Sequence, residues 1–340
     1  MSEKRYHKMV TCASYGGTGS SVITDLLKEF DNCNSLGEYE FRFLQDYDGV
    51  STLECALVDN HHRMNSDIAI RRFKDIVDYH SGNALAKRYE GFFHGKFKEI
   101  SYKYIDSLID LSWQGYWEQH SIEANPVYTF FAYKLYPRFR KLFNNPKDTE
   151  IVAQTPKKTM YFSYPREDFH EKTKNYTREL FNSIDEEFKY EYLVADQLVP
   201  PANIGRYLNY FDDIKVIVVD RDPRDLYVAN KYGWKESWIP THDLNTYITW
   251  YRKLREHQKY HTDDPERVLR ITFEEAVLNY DETLKRILNF LDIDEKHHVR
   301  KRQGFNPDIS IKNVALYKKY EADEDIKIIE KELKEYCREV

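Results

Sequence analysis

Between Lys8 and Phe30 the sequence reads KMVTCASYGGTGSSVITDLLKEF: an apolar run, a turn dense in glycine and hydroxyls, then an amphipathic stretch. That order demands a strand, a tight loop and a helix in immediate succession. Gly16, Gly17 and Gly19 let the backbone bend closely beneath a ligand. Ser14, Thr18, Ser20 and Ser21 add hydroxyl donors, and unpaired N–H groups at the helix start converge on the same point. Such a turn suits a phosphate or a similar oxyanion. A Walker loop would carry a Lys before its hydroxyl residue and none is present, so ordinary ATP or GTP hydrolysis is a poor first reading.

The strand–turn–helix pattern recurs along the chain. The first strand is predicted over Met9 to Ala13, and Val22, Leu26 and Phe30, widened by Ile23 and Leu27, form the apolar stripe of the helix. A second element begins near Asn34, with Gly37 just before two carboxylates. Ile151 to Ala153 reads as a short strand leading into a Thr-Pro loop. Ile214 to Val219 is a β-branched run suited to a buried parallel strand, with a helix expected from about Arg224. Thr241 or Asp243 is placed to cap the helix bearing Leu244, Ile248 and Tyr251. Val268 to Ile271 reads as a further strand, and Leu284, Ile287, Leu288 and Leu291 as a helical stripe. The expected fold is α/β, a P-loop-like, mostly parallel sheet flanked by helices, in one domain spanning 1–340 with a helical insertion at 60–150. Ligands then belong at the carboxyl ends of the strands.

Composition narrows the function classes. At 340 residues the chain can bury a full core. The 57 acidic residues outnumber the 51 Lys and Arg, giving a net charge of -6 that argues against nucleic acid as a partner. The 28 Tyr, 19 Phe and 5 Trp mostly supply core, and exposed ones can stack on a sugar or nucleobase. Cys12, Cys33, Cys55 and Cys337 form no close ligand pair and no disulfide framework, so no metal is expected. MSEKRYHK leads directly into the first strand without an apolar leader, and no stretch reaches bilayer-spanning length. The expectation is a cytoplasmic protein, at most peripheral to a membrane and without stable insertion.

In this order the elements resemble the phosphoadenosine-phosphosulfate-dependent sulfotransferase superfamily, as a divergent bacterial-type member. SYGGTGSS, Ser14 to Ser21, matches the loop that holds the 5′ phosphosulfate of the donor. VIVVDRDPRD matches the strand whose following basic residue grips the 3′ phosphate, here Arg221. KRQGF, Lys301 to Phe305, is similar to the final donor-binding loop, which implies roles for Lys301, Arg302, Gln303 and Gly304. Two departures stand out. The family's loop cation falls on Gly17, and its 3′-phosphate-binding Ser falls on Ala229, with Asn230 as the neighbouring substitute. Lys157 and Lys158, after Gln154-Thr-Pro, are the expected replacements for the missing cation.

The resemblance further implies Glu38 as the base, by the Gly-Glu that follows the comparable strand in tyrosylprotein-type relatives. On spacing alone Glu38 and Glu40 share a side and are not separated. His61-His62 is a weaker imidazole alternative. Asp225 is expected to cap a helix, Arg224 to orient it or face solvent, and Trp234 and Trp238 to frame adenine or acceptor, or simply to pack. The implied activity is sulfuryl transfer from 3′-phosphoadenosine 5′-phosphosulfate to a hydroxyl of a carbohydrate or glycolipid, with a homo-oligomer allowed. The alternatives are an inactive nucleotide-binding or assembly protein and a P-loop phosphotransferase needing a divalent metal.

Overall fold

The computed structural model describes residues 5–83, 85–117, 120, 125–143, 157–164 and 167–339. Five parallel strands form the central sheet in the order β2-β5-β1-β6-β7. They are β1 (Lys8–Ser14), β2 (Cys33–Glu40), β5 (Tyr192–Asp196), β6 (Ile214–Asp220) and β7 (Val268–Thr272). Three of these strands extend the apolar runs of the sequence by one residue or so. β5 was not anticipated: Tyr192 to Ala195 is followed by no long amphipathic stripe of the kind that follows β7. The strand expected at Ile151 to Ala153 lies outside the described residues.

Alternation along the central strands separates two cores, because successive side chains point to opposite faces. Val10 and Cys12 of β1, Val194 of β5, and Ile217 and Val219 of β6 pack with Ile23, Leu26 and Leu27 of the helix Ser21–Leu27. Met9, Ala13, Leu193, Ala195, Val216 and Val218 face the opposite layer, which holds Phe41, Phe43, Tyr89, Phe93, Phe97 and Phe181. Both faces are covered, so the inner strands β1, β5 and β6 read as nearly continuous apolar runs. Each fully buried Val, Leu or Ile contributes about 1.5–3 kcal/mol relative to exposure.

Between β2 and β5 runs the helical insertion, including the helices Arg63–Ser81 and Phe97–Leu108. It also contains an antiparallel ribbon absent from the sequence expectation, β3 (Leu111–Gly115) paired with β4 (Lys158–Phe162). A third apolar cluster joins Leu226 and Tyr227 to Tyr247 and Tyr251 and to Ile326 and Ile329 near the C-terminus.

Candidate anion-binding active site

Because the five strands run in one direction, their carboxyl ends share one edge. Ser14 is level with Val219, Cys12 with Asp196, and Asp220 with Thr272. The segments leaving these ends open a cavity of about 760 Å³. Among the anticipated residues, Ser14, Gly16, Gly17, Gly19, Ser20, Ser21, Glu38, Arg221, Arg302, Gln303 and Gly304 line it.

The glycine loop follows β1 directly. Gly16 and Gly17 have φ of +88° and +67°, in the region that L side chains rarely adopt. A Cβ on Gly16 would lie 2.0 Å from the Trp238 indole, and one on Gly17 would lie 2.9 Å from that of Trp234. Trp234 and Trp238 thus pack on the loop while also lining the cavity. The N–H groups of Gly17, Thr18, Gly19, Ser20 and Ser21 donate to no acceptor among the described residues. Thr18 is a correction: it is fully buried, and its hydroxyl donates to the Val219 carbonyl at 2.6 Å, tying the loop to β6. Ser14 Oγ accepts from Gln197 Nε2 at 2.7 Å, and the same amide reaches Ser20 Oγ at 3.3 Å. Gln197 braces both ends of the loop from the residue after β5.

Arg221 follows β6 and is only 5 % exposed. Its Nη2 donates to the Asn313 carbonyl at 2.8 Å, while its buried Nε has no partner among the described residues. The guanidinium lies over the rings of Phe273 and Trp234. Burial pulls its pKa below the ordinary Arg value, opposed by Asp225 and Glu274 nearby. Neither carboxylate forms an ion pair with it among the described residues. A cation buried without a carboxylate partner opposes folding.

The following residues are architectural. Asp222, not Asp225, caps the helix Pro223–Val228 by accepting from Arg224 N, and it holds the Arg224 guanidinium in a bidentate pair. Asp225 Oδ1 accepts from Tyr317 N, and burial pushes its carboxyl up to about 6. Glu274, raised to about 7 by burial, accepts from Asp222 N. Asn230 also departs from expectation. Its amide donates to the Glu236 and Ile239 carbonyls and to Thr241 Oγ1, and it accepts from Glu236 N. All of that closes its own loop, and Asn230 does not line the cavity.

Glu29, a residue with no sequence signal, fixes the last loop. Its Oε1 accepts from the Gly304 and Phe305 amides at 2.9 Å each, and its Oε2 from Arg302 N at 2.9 Å and from His298. Arg302 pairs with Asp308. Lys301 pairs with Glu295 on the exposed side and is off the cavity wall.

Lys157 and Lys158 are corrections too. Lys158 opens β4, opposite Gly115 in the antiparallel ribbon, and neither Lys lines the cavity. The chain there enters the ribbon of the insertion instead of returning to the parallel sheet. Arg221 and Arg302 are the only cations on the wall among the described residues. Of the acids, Glu40 lies 3.5 Å from Arg42, whereas Glu38 has no partner among the described residues. Asp196 joins them at the wall, accepts from Cys12 Sγ at 2.8 Å and is pushed by burial up to about 7. Its signal was an apolar run ending in Asp, the pattern also seen where β6 ends at Asp220. His61 contacts the Ser163 carbonyl and His62 caps the helix Arg63–Ser81, both away from this wall.

Fold and site together define a P-loop-like α/β protein with a cavity at the carboxyl ends of its parallel strands. The chain belongs to the sulfotransferase family, whose sequence profile matches residues 122–297, a span that includes β6 and Arg221 but begins after the glycine loop. It is similar in structure to the sulfotransferase domain from the curacin biosynthetic pathway, at 12 % identity over 97 % of this chain and 98 % of that one, with a TM-score of 0.43. The sulfotransferase domain of the Synechococcus PCC 7002 olefin synthase matches at 12 % identity over 96 % and 94 %, TM-score 0.41. Sulfotransferase STF9 from Mycobacterium avium matches at 14 % over 88 % and 67 %, TM-score 0.37. No curated protein matches the sequence significantly. Among the described residues no helix is long and apolar enough to cross a membrane.

Proposed function

We propose that the protein transfers a sulfuryl group from 3′-phosphoadenosine 5′-phosphosulfate to a hydroxyl of a carbohydrate or glycolipid. The observation carrying this reading is the buried Arg221 guanidinium, short of a partner at Nε, on the same cavity wall as the unpaired loop amides. A nucleoside bearing anions at its 3′ and 5′ positions answers both. In this reading Arg221 holds the 3′ phosphate, the loop amides hold the 5′ phosphosulfate, and the Arg302–Gly304 loop closes over the donor. Trp234 and Trp238 offer ring faces to the base.

The acceptor oxygen attacks sulfur in line as the bond from sulfur to the bridging phosphate oxygen breaks. The electron pair leaves with adenosine 3′,5′-bisphosphate, and the hydroxyl proton passes to the Glu38 carboxylate. The Arg42 contact to Glu40 favours Glu38 as the acceptor of that proton. The amides of the glycine loop stabilise charge on the nonbridging oxygens, the part a loop cation plays elsewhere in the family.

A second reading, a nucleotide-binding protein without transfer activity, is favoured by Gly17 at the cation position and by the absence of Lys157 and Lys158 from the wall. One experiment separates the two. Purified protein is incubated with the donor and mixed glycans and glycolipids, and products are searched by mass spectrometry for a sulfate increment. Donor binding without any increment supports the second reading. Phosphate transfer from ATP with Mg²⁺ in a parallel sample would overturn both.

A further inference from the structure

Residues 126–143 form a continuous helical rod made of the helix Pro126–Phe130, a wider turn Phe131–Leu135 and the helix Tyr136–Phe143. At about 1.5 Å per residue it is roughly 27 Å long. Val127, Phe130, Phe131, Phe139, Leu142 and Phe143 are each more than half exposed. So dense a set of large apolar side chains on an outer surface marks an interaction site. Lys134, Arg138 and Lys141 are exposed as well, spaced i, i+4, i+7 so that they align along one side of the rod. From position 124 to 147 the sequence contains no Asp or Glu, although the whole chain carries a net charge of -6.

We infer that this rod docks the protein on an anionic phospholipid surface, lying in the interfacial plane. Aromatic and aliphatic side chains suit the headgroup–acyl boundary, and Lys and Arg on the adjoining face meet lipid phosphates. An antiparallel two-fold pairing of two copies through the same rod would instead set the two basic rows side by side. The rod does not cross the bilayer, since none of the described helices is long and apolar enough. The inference concerns a surface away from the chemistry and does not rest on the proposed transfer.

The test is co-sedimentation of the full chain with vesicles of phosphatidylcholine alone or with about 30 % phosphatidylglycerol. Binding is expected only to the anionic vesicles, weakening as salt rises. The pair Arg138→Glu with Lys141→Glu, and separately Phe139→Ser with Phe143→Ser, should each lower partitioning about tenfold or more. These side chains are exposed, so thermal unfolding should match the parent chain in both. Absence of binding to the anionic vesicles, or binding untouched by both pairs, overturns the inference. So does a concentration-dependent dimer that Phe139→Ser with Phe143→Ser abolishes in a chain that ignores vesicles. Because no turnover is measured, this result and that of the transfer assay are independent.

Discussion

The Arg221 guanidinium donates from Nη2 to the main-chain carbonyl of Asn313 at 2.8 Å, joining the end of β6 to a segment far along the chain. A neutral acceptor thereby aims a buried cation without neutralising it. Arg221→Met should weaken binding of adenosine 3′,5′-bisphosphate by about 2–4 kcal/mol, the range for losing a desolvated charge-assisted contact. Folding stability should stay within about 1 kcal/mol or rise, because an unpaired buried cation opposes folding. Titration calorimetry and thermal unfolding read the two effects separately. Lost stability with unchanged affinity would make Arg221 a structural residue only.

Restoring the family's cation is not a simple repair. Gly17 has φ of +67°, and a Cβ there meets Trp234 at 2.9 Å and Leu226 at 3.0 Å. Gly17→Lys should cost about 1–3 kcal/mol in stability from backbone strain alone and give no gain in rate. Thermal unfolding and a sulfate-release assay check this. A faster enzyme of undiminished stability would contradict it.

Stability should depend on pH through the carboxyls behind Arg221. Burial raises Glu274 to about 7 and Asp225 to about 6. Across the window from the unfolded pKa, near 4.5, up to about 7, the folded state keeps the Glu274 proton that the unfolded chain releases, so stability falls as pH rises. The melting temperature should drop between pH 5 and 8, and Glu274→Gln should flatten part of that drop. An identical slope in the variant would show that Glu274 does not titrate there.

Glu29 gathers the loop assigned to donor binding in the proposed mechanism through the Arg302, Gly304 and Phe305 amides. Glu29→Ala leaves those donors unanswered and should cost about 3 kcal/mol or more, with weaker donor binding. Hydrogen exchange at Gly304 and Phe305 should accelerate, and Glu29→Gln, which keeps one acceptor oxygen, should fall between. Unchanged exchange in Glu29→Ala would mean that the loop is held by other contacts.

In the proposed mechanism Glu38 and Asp196, both on the cavity wall, are the alternatives for the acceptor proton. With Glu38 as the base, Glu38→Gln should lower kcat by about 100-fold or more while donor affinity persists. Asp196→Asn keeps an acceptor for Cys12 Sγ–H and should spare kcat. The reverse pattern, with an inflection near pH 7 lost only in Asp196→Asn, would move the role to Asp196.

What the sequence revealed follows from how locally each feature is encoded. β1, β6 and β7 are short apolar runs with a characteristic exit, so the sheet and the positions of the glycine loop and Arg221 were readable. β5 was missed because Tyr192 to Ala195 is followed by no long amphipathic stripe like the one that marks the unit after β7. Side-chain direction was readable along helical stripes but not in the loops and at the strand ends around the site. Asn230 turned inward to close its own loop, Lys158 was drawn into an antiparallel ribbon, and Thr18 was bound to the Val219 carbonyl. Glu29 was invisible because its partners are backbone amides 273 to 276 residues away, and backbone amides carry no sequence signature.

The sheet order β2-β5-β1-β6-β7 has an evolutionary consequence. On the proposed roles, the nucleotide grip grows from the inner strands, whereas Glu38 rides on an outermost one that leads into the inserted helices. Mutations accumulating along that flank can retarget the catalyst toward new molecules while its grasp of the donor is inherited intact.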